Sequence, residues 1–435
     1  MKMKYRHQQY QHRLLFLLVA LATSADAYIS IVTGANGFVG RHVVYALLQN
    51  HYSDPNYQVS SEPTIICLVR PEKVQYEQSF WNAHGDEFQQ SRTDDKSICV
   101  KVMPYDMLDN GETLNDAMEA AIKGRSLTLS ASACPICIYH IASVFGPTPD
   151  PILTAKGNVQ SSEDVIRTLD KFYDRHPNSK LRVVLTSSMA AVRATDQPPL
   201  NGKFYTHRDW NTLSELNENN WGSCYQWSKA ESERRALELV RECNDRYAKD
   251  DNDGTGREIT MIALCPSFVF GPPCPIPVEM REDATDTTTA TGGSSSYSLT
   301  LIGQWIRGNS PVQSRLCADV RDVAKAHLVA GTMTNLPRSD ADRRYILSSE
   351  VRLSSEATAE ALLRGVVRAQ EKRGIPCIDI DVSKISFDKQ FTGGAISIGM
   401  RETDASERLK EDLGIVFRSV EETMQDTAEA LLNTF

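Results

Sequence analysis

The sequence predicts an α/β protein, a doubly wound parallel sheet with helices on both faces and a smaller, mainly C-terminal binding region. Three observations predict it. Short apolar runs alternate with helix-spaced segments over the first two-thirds of the chain. A glycine-rich turn, Thr33-Gly34-Ala35-Asn36-Gly37-Phe38-Val39-Gly40, directly follows the first run. Runs such as Val183-Val184-Leu185 are continuously apolar, as burial on both faces of a sheet requires.

The predicted strands are 29–33, 64–69, 99–103, 136–141, 182–186 and 260–265, with helical spacing between them, for example over 158–175 and 226–243. After the first strand, Gly34 allows a tight turn. Gly37 lets backbone approach a ligand, and Gly40 lets the next helix pack closely on the strand. That helix continues with Val43, Val44, Leu47 and Leu48 on one stripe. Such a turn places a dinucleotide pyrophosphate at a helix N-terminus. The alternative is a glycine-rich corner that holds no ligand.

Three stretches read as insertions. Residues 52–63 and 76–96 are polar with little periodicity, and 280–297 is a run of acids, Thr, Gly and Ser that reads as a flexible loop. The tail 402–435 returns to helical spacing through Leu409, Leu413, Val416, Met424, Ala428 and Leu431.

With 435 residues, 41% hydrophobic and 24% charged, the chain has the composition of a globular protein. A net charge of −9 and the lack of a basic stripe argue against nucleic-acid binding. Ten cysteines are scattered, with one Cys-x-x-Cys at Cys134 and Cys137 and no second pair, so no metal site is expected. At the N-terminus, Lys2, Lys4, Arg6 and Arg13 precede an apolar stretch over 14–22, followed by Ala25-Asp26-Ala27. This is the pattern of a secretory signal peptide or an uncleaved anchor over 1–27, with the stretch shorter than a membrane span. It predicts delivery to the endoplasmic reticulum or an organelle reached through it, and membrane contact only through this segment. Without the leader the chain would be cytoplasmic.

Tyr225-Gln226-Trp227-Ser228-Lys229 puts a phenol and an ammonium at i and i+4 on one helix face. A neighbouring ammonium lowers a phenol's pKa, which makes Tyr225 a candidate general acid or base. Upstream, strand 182–186 runs into Ser187-Ser188, at the carboxyl edge where open parallel sheets bind ligands. Ser188 can hydrogen-bond a substrate carbonyl there, or serve simply as a helix cap. Strand 136–141 likewise ends in Ala142-Ser143.

Together these motifs resemble an extended short-chain dehydrogenase/reductase of the dihydroflavonol-4-reductase-like kind, within the NAD-dependent epimerase/dehydratase superfamily. The resemblance runs from about Ile29 to the C-terminus. It rests on the glycine turn, Asp106 after the third strand, His140-Ile141-Ala142-Ser143, Asn158, the Ser188, Tyr225 and Lys229 set, Cys265 to Pro272, and Asp319 to Ala324. It implies a Rossmann-type sheet over 28–265 and a mainly substrate-binding region over 266–435. It also implies that Tyr225 protonates substrate oxygen, Lys229 binds the cofactor ribose, Ser188 holds the substrate oxygen and Asn158 helps a proton relay. Cofactor contacts would come from Gly34, Asn36, Gly37, Phe38, Val39, Gly40, Asp106, Met107, Ala142, Ser143, Pro266, Phe268 and Val269. The resemblance further implies a homodimer through helices flanking the sheet.

The second strand ends in Val69-Arg70-Pro71-Glu72-Lys73, offering cations where an NAD site offers an acid, so NADP(H) is the expected cofactor. The expected reaction is reduction of an aldehyde or ketone to an alcohol. A 3β-hydroxysteroid-dehydrogenase-like enzyme, a nucleotide-sugar epimerase and an inactive dinucleotide-binding module are the alternatives. The substrate pocket is expected around Phe145, 205–221, 268–273 and 297–315, aromatic enough for a hydrophobic or ring-bearing carbonyl compound.

Overall fold

The computed structural model describes residues 29–53, 64–90, 100–123, 136–250, 257–277, 280, 296–373, 382–387 and 399–433. The leader 1–27, Cys134, and nearly all of the 280–297 segment lie outside these. Nine strands are described: β1 Ile29–Thr33, β2 Ile65–Val69, β3 Val100–Pro104, β4 Ile136–His140, β5 Leu181–Thr186, β6 Ile259–Pro266, β7 Phe268–Phe270, β8 Cys317–Asp319 and β9 Arg344–Leu347. Seven of them form one sheet in the order β3-β2-β1-β4-β5-β6-β9, every pairing parallel. Strand order reverses between β1 and β4, and there the carboxyl ends open a crevice.

The two faces are covered by different helices. On one face α1 (Phe38–Ser53), α2 (Val74–Gln90) and, later in the chain, the helix Val320–Thr332 bury Val44, Leu47, Phe80, Trp81, Ala326 and Ala330 against Val32, Val184 and Ile262. On the other, α3 (Glu112–Ile122), α4 (Pro151–Arg175) and the long helix Trp221–Asp250 bury Leu114, Met118, Leu169, Phe172 and Val240 against Ile31, Leu68, Ile138 and Val183. With the short α5 (Met189–Val192) preceding it, the long helix is α6. Next come α7 (Tyr297–Ile306), α8 (Val320–Thr332), α9 (Ser355–Arg373), α10 (Ala405–Asp412) and α11 (Val420–Asn433). A third cluster joins Phe270 to Ile302, Trp305, Leu362, Val366, Met424 and Ala428, so α7, α9 and α11 pack beside the β7–β8 pair.

The expected fold class and six strands are present, with three corrections to local readings. Residues 76–96 are not a featureless insertion: the described part belongs to α2, whose Phe80 and Trp81 are fully buried. The reach of helix α4 is longer than 158–175, because Asp150 caps it by accepting from Leu153 N at 2.8 Å and Pro151 fits its first turn. Asn158 therefore lies inside the helix rather than opening it. Val416, placed on the buried stripe of the tail, is 72% exposed, since it falls between α10 and α11.

Candidate active site

The site grows from the carboxyl edge of the sheet. Thr33, the last residue of β1, accepts from Ile141 N and Ala142 N at 3.1 Å each, and its own hydroxyl lies 3.0 Å from His140 Nδ1. This clamps the ends of β1 and β4 together. Burial, helped by the Lys229 ammonium, holds His140 down to about 3, so the imidazole is neutral and serves as a strut. Gly34 then turns at φ +65°, and a Cβ there would stand 3.0 Å from Ala142 Cα. A Cβ on Gly40 would fall 2.1 Å from the Gly34 carbonyl oxygen. The turn is thus a bare-backbone cradle ahead of α1, suited in shape to a pyrophosphate.

A cleft of about 1250 Å³ runs from this cradle across the sheet edge. Gly34, Asn36, Gly37, Phe38, Val39 and Gly40 line one end, with Arg70 from the end of β2 and Asp106 and Met107 after β3. Ala142, Ser143, Ser188, Tyr225 and Lys229 line the middle, and Pro266, Phe268 and Val269 the far wall. Arg70 is more than half exposed and lies 3.3 Å from Glu72. Lys73 ends the 3-10 turn Pro71–Lys73 and is not among the residues lining the cleft.

Tyr225 and Lys229 sit in the first turns of α6, where the Asn220 side chain accepts from Ser223 N at 3.0 Å. Lys229 Nζ donates to Ser143 Oγ and to the Thr186 carbonyl, both at 3.0 Å, tying α6 to the ends of β4 and β5. Burial lowers Lys229 to about 8, against the pull of Cys265 and Glu233. Burial also pushes the Tyr225 phenol up to about 12, and its hydrogen bond with Ser188 draws it back only in part. The expectation that Lys229 would lower this phenol is therefore reversed: desolvation wins, and the ammonium spends its bonds on Ser143 and Thr186. Tyr225 is thus held protonated at neutral pH.

Ser188 is also a cap. Its Oγ accepts from Ala190 N at 3.1 Å, and it sits 3.5 Å from the Pro266 carbonyl. Asn158 engages the loop after β4: its Oδ1 accepts from Val144 N at 2.9 Å and its Nδ2 donates to the Val144 carbonyl at 3.1 Å. Asn158 and Lys229 share the lining of a cavity of about 10 Å³ under the cleft.

Some residues around the site escaped the sequence reading. Glu233, one turn beyond Lys229, accepts from Ser187 Oγ and from Arg344 Nε at 2.5 Å each, a buried link between α6, the residue before Ser188 and β9. Its signal was the four-residue step from Tyr225 to Lys229, continued once more. Trp221, Tyr297 and Phe145, all within the expected pocket stretches, form an aromatic wall, with Phe145 4.7 Å from the Tyr225 ring and 5.2 Å from that of Tyr297. Arg193, Arg315 and Arg352 also line the cleft; Arg315 closes the expected pocket stretch 297–315, and nothing in the sequence marked the other two.

No family model matches the chain. It is 24% identical over 411 residues to an NADPH-dependent methylglyoxal reductase of Saccharomyces cerevisiae, covering 92% of this chain and 97% of that protein. It is 25% identical over 309 residues to a protein of Schizosaccharomyces pombe named as an uncharacterized oxidoreductase, covering 69% and 72%. Among solved structures, the yeast methylglyoxal/isovaleraldehyde reductase complexed with NADPH superposes with TM-score 0.63 at 21% identity, covering 93% of this chain and 98% of that one. These likenesses bear out the fold expected from the sequence.

Proposed function

We propose that the chain is an NADPH-dependent oxidoreductase of the extended short-chain dehydrogenase/reductase type that reduces an aldehyde or ketone to an alcohol. The observation carrying this reading is the convergence of Ser188, Tyr225 and Lys229, from β5 and α6, on a cleft that begins at a glycine cradle. The NADPH-dependent yeast reductase, alike over nearly the whole chain, supports it. So does Arg70, a cation where a 2′-phosphate would lie and an NAD site would offer an acid. That same residue disfavours the epimerase reading.

When bound, the cofactor supplies the hydride to the carbonyl carbon. The residues do the rest. The glycine turn and the N-terminus of α1 receive the phosphates, and Arg70 the 2′-phosphate. Lys229, charged at neutral pH and fixed by Ser143 and Thr186, presents its ammonium to ribose hydroxyls. Ser188 donates to the substrate oxygen. Tyr225 gives that oxygen its proton, which a phenol held near 12 retains until negative charge develops there. Asn158 holds Val144, in the loop after β4, through its two hydrogen bonds to that backbone.

The test is NADPH oxidation with a panel of aldehydes and ketones. Tyr225→Phe should lower turnover by about a hundred-fold or more while leaving the NADPH dissociation constant close to that of the parent chain. Parent-like turnover in that variant would overturn the assignment of Tyr225.

A further inference from the structure

The substrate end of the cleft holds more positive charge than carbonyl reduction needs. Arg193 follows the short helix that Ser188 caps, Arg315 precedes β8 and Arg352 follows β9, and all three line the same cavity. Arg352 is matched, its Nε and Nη2 donating to the two oxygens of Glu402 at 2.8 and 3.0 Å. Arg193 Nε is buried and meets no acceptor among the described residues, and Arg193 Nη1 reaches only the Ala194 carbonyl at 3.4 Å. The guanidinium lies 5.3 Å over the Tyr205 ring, which contributes no full charge. Arg315 donates through Nη2 to Gln313 Oε1 at 2.5 Å and lies 4.7 Å over the Phe268 ring, and Phe268 stands 6.3 Å from Phe145, the ring packed on Tyr225. The wall that flanks the proposed acid therefore also carries a guanidinium.

Burial acts most strongly against the charge on Arg193 and Arg315; Tyr205, Glu402 and Asp196 favour it on Arg193 and Tyr297 on Arg315, while Arg352 disfavours it on both and Arg193 on Arg315. Asp196, exposed at the rim, lines the cleft near them, whereas Glu402 stands outside the lining. A buried guanidinium edge with no acceptor, as at Arg193 Nε, is unfavourable unless an anion completes it. Planar forks of this kind match the paired oxygens of an oxyacid.

We propose that the carbonyl substrate bears an oxyanion group, a carboxylate or a phosphate, held between Arg193 and Arg315 while its carbonyl faces Ser188 and Tyr225. This rests on the reductase reading for the carbonyl, but the anion site has its own readout. Two matched pairs test it: benzoylformate against methyl benzoylformate, and glyceraldehyde 3-phosphate against glyceraldehyde. One anion should exceed its neutral counterpart in kcat/KM by about ten-fold or more, as a charge-assisted contact gives. Which pair shows the larger ratio tells carboxylate from phosphate. Arg193→Gln and Arg315→Gln should each collapse that ratio towards one. The second measurement is the shift in melting temperature of the NADPH-saturated chain on adding each compound, which needs no turnover. If neither anion is preferred by rate or by stabilisation, the proposal is overturned while the reductase reading stands. If an anion stabilises selectively through Arg193 and yet no carbonyl is reduced, the anion site stands and the reductase reading falls.

Discussion

Lys229 is where stability and proposed chemistry pull in opposite directions. Its ammonium is enclosed, and burial lowers it from 10.5 to about 8. Between those values the unfolded chain binds the proton and the folded chain does not, so this residue makes stability rise with pH across the window. The full cost of enclosing the charge is present below pH 8 and has faded by 10.5. Lys229→Met has no such term. The melting temperature of the variant relative to the parent should therefore be most favourable near pH 7 and fall steadily towards pH 10, as read by differential scanning fluorimetry. A difference that stays constant over that range would contradict the enclosed, proton-shedding lysine. At this scale Ser188, Tyr225 and Lys229 were legible, because a strand end and an i, i+4 step fix where such residues point. Arg193 was not, and Arg315 was only as the end of the expected pocket stretch 297–315. An arginine is ordinary on a surface, and only the fold brings Tyr205 beneath Arg193 and Phe268 beneath Arg315.

Helix α6 carries its chemistry on one stripe: Trp221 on the aromatic wall, Tyr225 at the cleft, Lys229 at the strand ends and Glu233 beneath. Glu233 anchors this stripe to the sheet through Arg344, whose guanidinium also caps the Ala191 carbonyl at 3.1 Å and lies 3.9 Å over Trp210. Removing one partner of such a buried pair leaves the other charge uncompensated, at about 3 kcal/mol or more. Glu233→Gln should show that loss in urea denaturation, and adding Arg344→Met should restore part of it. Additive losses in the double variant would mean the two groups are not coupled. Elements were read best where apolar residues form an unbroken run. Helix α2 was missed because Phe80, Trp81 and Phe88 are spread among polar residues, and only the fold sets Phe80 and Trp81 into the core and Phe88 against Tyr45. Strand β9 was missed because four residues are too short a run to stand out, and its place comes from pairing with β6.

At the scale of the whole molecule, the cleft exists only when distant parts of the chain are folded together. Arg70 comes from the second strand, Ser188 from the fifth, Tyr225 from α6 and Arg315 from the segment that leads into β8. The parallel, two-faced sheet was legible from alternation, but the third cluster around Trp305 and Met424 was not, since it joins helices far apart in sequence. A ligand that fits this cleft binds the folded chain and not the unfolded one, so it must stabilise by mass action. At a hundred-fold excess over its dissociation constant the gain is about 2.7 kcal/mol. NADPH should therefore raise the melting temperature more than NADH at equal concentration, because the acidic chain offers the exposed Arg70 to the extra phosphate. Arg70→Ala should reduce the NADPH shift and leave the NADH shift nearly unchanged. If both shifts fall together, Arg70 supports the shape of the cleft rather than reading the 2′-phosphate. If neither falls, the cation that selects NADPH lies elsewhere along the same edge.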